Sequence, residues 1–150
     1  FGKYFTNRCR DVLISGTWRT MGFGIPAALA AKMNMPDNNV TCITGDGGTA
    51  MVLAELLTAN RYELPITIVV MNNNSLSMEK NKMISANLQP EGVDITNPDF
   101  VKLAEACGID GRRADNLQQL KEILQQSRKL NKPLVIDVPT ADYMPPGTKL

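Results

Sequence analysis

Two short strand-like runs in this chain end in residues that carry chemistry. Val40-Thr41-Cys42-Ile43-Thr44 leads into Gly45-Asp46-Gly47-Gly48, and Ile66-Thr67-Ile68-Val69-Val70-Met71 leads into Asn72-Asn73-Asn74. One helix-length segment, Thr49 to Arg61, and a short crossover to Pro65 separate them. A strand, a helix and a second strand in that order imply a right-handed crossover and a parallel pair. The continuous run Ile66–Met71 is of the kind buried on both faces of such a sheet. A carboxylate and a carboxamide are thereby placed side by side at the C-terminal edge, where open α/β sheets bind ligands.

Both groups are hard oxygen ligands, and they adjoin a glycine turn and a helix start that can hold phosphate. A divalent cation and a diphosphate are what such an edge could bind together. Taken alone, Gly-Asp-Gly-Gly is also an ordinary turn, because Asp and Gly are favoured there for local reasons. Three consecutive amides after six strand residues are costly at a sheet edge unless solvated or used, which favours the metal reading. A competing motif is Gly22-Phe23-Gly24-Ile25-Pro26-Ala27, which matches the G-x-G-x-x-A form of the dinucleotide fingerprint. In that fingerprint the glycines follow the strand directly, whereas here Gly16 to Met21 intervene after Ser15.

The rest of the chain continues the alternation. Asp11-Val12-Leu13-Ile14-Ser15 reads as a first buried strand leading into a glycine-containing loop, Gly16 to Gly22. Pro26 to Met35 is expected to be a helix, with proline tolerated in its first turn. A second helix is expected from Ala50 to about Arg61, with Leu53, Leu56 and Leu57 on its inner face. Leu76 to Leu88 reads as a helix followed by an active-site loop, and Gln89-Pro90-Glu91-Gly92 as a turn. Asn97-Pro98-Asp99 opens a helix with Phe100, Leu103 and Ala104 inward and Gly108 as its stop. Asn116 caps another, carrying Leu117, Leu120, Ile123, Leu124 and Leu130, and Pro133 precedes a last strand, Leu134–Val138. The expected fold is α/β, a parallel sheet with helices on both faces in a Rossmann-like three-layer arrangement. It occupies residues 1–138 as one domain, with 139–150 as a C-terminal tail.

Composition narrows the function. The 150 residues contain no histidine, which excludes a complete Ser-His-Asp triad, a Cys-His dyad and a His-ligated zinc within this chain. Cys9, Cys42 and Cys107 are odd in number and far apart, which suggests reduced cytoplasmic thiols and neither a disulfide framework nor a zinc cluster. A net charge of +1 argues against a nucleic-acid footprint. No apolar run approaches the ~20 residues of a membrane span. Beginning at Phe1 without a secretory signal, the sequence reads as a segment of a longer polypeptide. Chemistry here falls to carboxylates, amides, backbone groups or a cofactor.

The G-D-G-G … N-N arrangement, with 27 residues from Asp46 to Asn73, resembles the thiamine-diphosphate signature of the pyruvate oxidase and acetohydroxyacid synthase family. Ser15 to Ala28 is similar to the T-M-G-x-G-[LI]-P-x-A stretch of the same enzymes. The resemblance covers their C-terminal, diphosphate-binding domain. It implies that Met21 wedges under the cofactor and that the main-chain oxygen of Arg19 contacts the aminopyrimidine. It assigns magnesium to the Asp46 carboxylate, the Asn73 side-chain oxygen and the main-chain oxygen of Ser75. It aims the amides of Gly47, Gly48 and Thr49 at the diphosphate.

The implied chemistry is cofactor attack on the carbonyl of a 2-oxo acid such as pyruvate, with loss of carbon dioxide. The family's activating glutamate lies on a pyrimidine-binding domain, of the same longer chain or of a neighbouring subunit. No catalytic residue is therefore expected within this chain, whose Glu55, Glu63, Glu79 and Glu91 lie on segments serving the diphosphate end. A homodimer or homotetramer is implied, and FAD is possible in the full-length protein. Lys32–Pro36 and Asn97–Phe100 favour an oxidase-like over a synthase pattern. Departures from the family are Arg19 where Gly or Ala is usual, Ser77 for Gly, Glu79 for an apolar residue, and Lys82. Glu79 and Lys82 read either as a solvated helix face or as a changed substrate wall. A non-catalytic cofactor-binding or assembly module is the remaining alternative.

Overall fold

β-Branched residues that alternate between two buried faces define the centre of the molecule. In the computed structural model, which describes residues 12–142, β1 (Val40–Gly45) pairs with β2 (Ile66–Asn72). β2 in turn pairs with β4 (Leu134–Pro139), and β4 with β3 (Asp110–Arg113). All pairings are parallel and the order is β1-β2-β4-β3. Alternate side chains of β2 point to opposite faces. Ile66, Ile68 and Val70 meet α1 (Gly24–Asn34), α3 (Glu55–Arg61) and α5 (Phe100–Ala106) through Ile25, Leu29, Leu56, Phe100 and Ala104. Val69 joins Leu134, Ile136 and Val138 against Leu120, Ile123 and Leu124 of α6 (Leu117–Ser127). The expected layering, helices on both faces of a parallel sheet, is what the chain builds.

Local capping follows the sequence. Asp99 Oδ1 accepts the amides of Val101 and Lys102 at the start of α5, and Asn116 Oδ1 accepts that of Gln119 at the start of α6. Gly108, at φ +75°, ends α5 in the left-handed conformation. Lys32 is buried, yet its ammonium donates at 2.7 Å to the carbonyls of both Pro36 and Asn38 beyond α1.

Four expectations are corrected. Val12–Ser15 forms no strand, and Leu13 and Ile14 are 60% and 62% exposed. Ser15 instead accepts the amide of Thr20 on its hydroxyl at 2.9 Å, a local bond that competes with strand formation. Asp11 and Cys9 lie outside the described residues. The helix expected from Ala50 to Arg61 is split into α2 (Asp46–Ala50) and α3, with 51–54 in turns closed by bonds such as Val52 N to Thr49 O. Leu57 consequently turns outward, 51% exposed. β3 was not expected, since Asp-Gly-Arg-Arg has no strand-like composition. β4 runs on to Pro139, and Thr140 N donates to Asn72 O at 2.8 Å; the tail from 143 to 150 lies outside the described residues.

Candidate functional site

The register of β1 on β2 sets Gly45 opposite Met71, so that Asp46 and the asparagine run emerge together at the C-terminal edge. Asp46 is only 3% exposed. Its Oδ2 accepts the main-chain amides of Asn73 at 3.1 Å and Asn74 at 2.7 Å, and the side-chain amide of Asn97 at 2.8 Å. Its Oδ1 accepts one bond, from Gly47 N at 2.9 Å. Every one of these donors is neutral, and among the described residues no Lys or Arg forms an ion pair with Asp46. A carboxylate offers about four lone-pair sites. Oδ2 is crowded and Oδ1 keeps acceptor capacity.

Asn73 is held at both ends of its amide. Its Oδ1 accepts Ser75 N at 3.1 Å, and its Nδ2 donates to Ser77 Oγ at 2.6 Å. Ser77, a departure in the motif, therefore orients the predicted ligand. Asn74 takes φ +56°, a left-handed turn that asparagine tolerates better than most residues. Ser75 is buried and bridges to Asp94, while its hydroxyl has no hydrogen-bond partner.

A side chain at position 47 would have to push aside the ends of Leu76 and Met21. A Cβ there would lie 2.7 Å from Leu76 Cδ2 and 3.2 Å from Met21 Cε. The Met21 methyl group thus packs over the backbone just beyond Asp46, beside a cavity of about 400 Å³ whose lining includes Met21, Gly47, Leu76, Ile95 and Asn97. Thr49 Oγ1 donates back to Gly45 O at 2.8 Å, so its contribution to a ligand is its amide. Arg19 is exposed at φ +45°, a conformation that costs a non-glycine residue about 1–2 kcal/mol.

The predicted set divides cleanly. Asp46, Gly47, Asn73 and Ser75 converge at the strand ends, with Met21 against Gly47. Gly48 follows in the first turn of α2, and Arg19 sits on the loop leading to Met21. Glu79 and Lys82 pair with each other at 3.2 Å on the outer side of α4 (Ser77–Ser85), half-exposed, as a solvated helix face does. Among the described residues no group of three or more His, Cys, Asp or Glu converges as an all-protein metal cage. One carboxylate with amide and main-chain oxygens suits a cation that completes its shell with phosphate and water, the habit of magnesium. The donor set fits that group.

Sequence reasoning missed a polar relay behind Asp46. Asn97 Nδ2 also lies 3.1 Å from Asn72 Oδ1 and 3.2 Å from Asn74 Oδ1. Asn72 Nδ2 donates to Asp137 Oδ1 at 2.9 Å, and Arg113 Nη1 donates to Asp137 Oδ2 at 3.0 Å. The readable signal was Asp137 itself, a lone carboxylate within the apolar last strand. Asn72 and Asn74 lay in the asparagine run already singled out, whereas Asn97 and Arg113 had no local signature of this role.

Fold and edge chemistry define an α/β domain whose buried Asp46 carboxylate and neighbouring carboxamides gather outside its strand ends. The chain belongs to the family described as thiamine pyrophosphate enzyme, C-terminal TPP binding domain, whose model matches residues 2–138. It is 42% identical to the acetolactate synthase isozyme 3 large subunit of Escherichia coli over 90% of this chain and 24% of that protein. It is 37% identical to a probable acetolactate synthase large subunit of Methanococcus aeolicus, over 98% of this chain and 26% of the relative. It is 34% identical to the putative thiamine pyrophosphate-containing protein YdaP of Bacillus subtilis, over 94% of this chain and 25% of the relative. The chain spans about a quarter of the length of these curated relatives. No helix among the described residues is long and apolar enough to cross a membrane.

Proposed function

We propose that this domain holds thiamine diphosphate by its diphosphate, through a magnesium ion on the Asp46 carboxylate, the Asn73 side-chain oxygen and the Ser75 main-chain oxygen. The observation that carries the reading is Asp46, a buried carboxylate held by neutral donors alone. Amides of Gly47, Gly48 and Thr49 face the diphosphate, Met21 supports the bent cofactor, and the Arg19 carbonyl meets the pyrimidine. When bound, the cofactor supplies the nucleophilic carbon that attacks a 2-oxo acid such as pyruvate. This chain's residues orient it and keep the diphosphate end neutralised. A pyrimidine-binding domain, from the same longer chain or a neighbouring subunit of a homodimer or homotetramer, supplies the activating glutamate. The free thiols of Cys42 and Cys107 suit a cytoplasmic setting.

Two fates of the decarboxylated substrate are in play. The names of the relatives support ligation to a second 2-oxo acid, giving acetolactate. The motif pattern supports an oxidase-like outcome, with FAD. Assaying the products of full-length protein fed pyruvate, for acetolactate and for oxidised two-carbon product, decides between them.

The binding itself is tested by thermal protection. Thiamine diphosphate at 100 times its dissociation constant stabilises by about 2.7 kcal/mol, and we expect this only with magnesium present. Equal protection in excess chelator, or protection by a nicotinamide dinucleotide in its place, would sink the assignment.

A further inference from the structure

We infer that Asn97 is a positioning residue of the cation site: its side-chain amide clamps Asp46 Oδ2 and leaves Oδ1 to face the ion. The inference rests on the reading of Asp46 as a cation ligand. Its evidence is the arrangement of oxygens around one nitrogen. Asp46 Oδ2, Asn72 Oδ1 and Asn74 Oδ1 lie 2.8, 3.1 and 3.2 Å from Asn97 Nδ2, which has only two hydrogens to share among them. Oxygens gathered so closely repel one another unless a positive group sits between them. The amide of Asn97 fills that place behind the carboxylate.

The orientation of the amide is dictated from a distance. Arg113 can only donate and Asp137 can only accept. Asn72 must therefore turn Nδ2 toward Asp137, which leaves its Oδ1 facing Asn97. Asn97 must then present nitrogen, and it presents the same nitrogen to Asp46. The polarity of the Arg113–Asp137 ion pair is carried through two asparagines to the carboxylate. Pro98 and the capped start of α5 hold the backbone beside Asn97 in place.

The other end of the amide argues that this is more than loop packing. Asn97 Oδ1 is buried without a hydrogen-bond partner. An orphaned acceptor is unfavourable, whereas the nitrogen at the other end serves three oxygens. The side chain is therefore fixed by its nitrogen end, which is the end that meets Asp46. Groups that orient metal ligands from behind are worth ~10–100-fold in metal affinity.

The test measures magnesium affinity on the full-length protein as the magnesium concentration that gives half-maximal thermal protection at a fixed concentration of thiamine diphosphate. Asn97→Leu keeps the shape and removes both donors; Asn97→Ala removes the side chain. Both should weaken magnesium binding by ~10–100-fold, and both should lower the melting temperature of the ligand-free protein, because Asp46 Oδ2 and two asparagine oxygens lose their shared donor. Asp46→Ala, measured alongside, should lose the ion altogether. Unchanged magnesium affinity in both Asn97 variants, with binding lost in Asp46→Ala, overturns the positioning role alone. Unchanged affinity in Asp46→Ala overturns the cation site and this inference with it. A lowered melting temperature with unchanged affinity assigns Asn97 to the loop.

Discussion

Asp46 and Asp137 stand near the C-terminal ends of β1 and β4, each 3% exposed, each hydrogen-bonded at both oxygens. Asp137 has a cation. Arg113 is its direct cross-strand partner in the β3–β4 register and places a guanidinium nitrogen 3.0 Å from Oδ2. Asp46 has only amides. Burying a carboxylate without a counter-charge is expensive, and the contrast locates the place where the fold leaves room for a charge from outside. The same chemical group has an internal cation at one strand end and, two strands away, only amides, which is where the proposed function puts the ion. What separates them is the presence of an internal cation.

The largest expected effect comes from removing the carboxylate without an internal partner. Asp46→Ala should abolish magnesium-dependent protection by thiamine diphosphate, about 2.7 kcal/mol at 100 times the dissociation constant, and leave the ligand-free fold intact. Asn73→Ala should weaken the protection less, because a neutral amide contributes less than a carboxylate to a hard cation. Melting curves with and without magnesium check both. Protection surviving in the Asp46 variant would make the two aspartates equivalent and break the comparison.

The reverse experiment removes the internal cation. Arg113→Met strands Asp137 and should destabilise the ligand-free protein by about 1–2 kcal/mol, less than for a fully buried pair because the guanidinium is half-exposed. Denaturant unfolding measures this. Stability equal to the parent would show that Asp137 is held by Asn72 alone.

The smallest effect belongs to a pair that is neither buried nor at the site. Lys80 bridges Asp142 at 2.8 Å and Asp94 at 3.3 Å, tying α4 to the segment after β4. The hydrogen bond from Lys80 holds the Asp142 carboxyl below its ordinary 3.8, and bonding to Asp142 and then Asp94 holds the Lys80 ammonium above its ordinary 10.5. The Asp142 contribution is complete above its ordinary value and is lost as pH falls through the lowered one. The Lys80 contribution is complete below 10.5 and is lost as pH rises through the raised one. The strap should hold across the neutral range, loosen at both extremes, and weaken with salt. Protection factors for amide exchange in α4, each rate referred to the intrinsic rate at the same pH, check this; a minimum of protection at neutral pH would contradict it.

The sequence by itself determined what depends on near neighbours. Val40–Gly45, Ile66–Asn72 and Leu134–Pro139 are strands because β-branched and apolar residues follow one another there, and Asp99 and Asn116 cap helices because their side chains reach amides two or three residues on. The order strand, helix, strand then places Asp46 and Asn73 at one edge, which made half of the candidate site legible before any coordinates. Tertiary structure decided the rest. Arg112 and Arg113 join a strand only because β4 offers an edge to pair with, and Val12–Ser15 yields to a local bond from its own serine. Asp46 draws its oxygen partners from 27, 28 and 51 residues away. Asn97, read as the opening of a helix, becomes the clamp on a carboxylate because packing brings two loops together. Periodicity and turn chemistry report contacts within a few residues along the chain, and a buried charge is satisfied by whatever the finished fold places beside it.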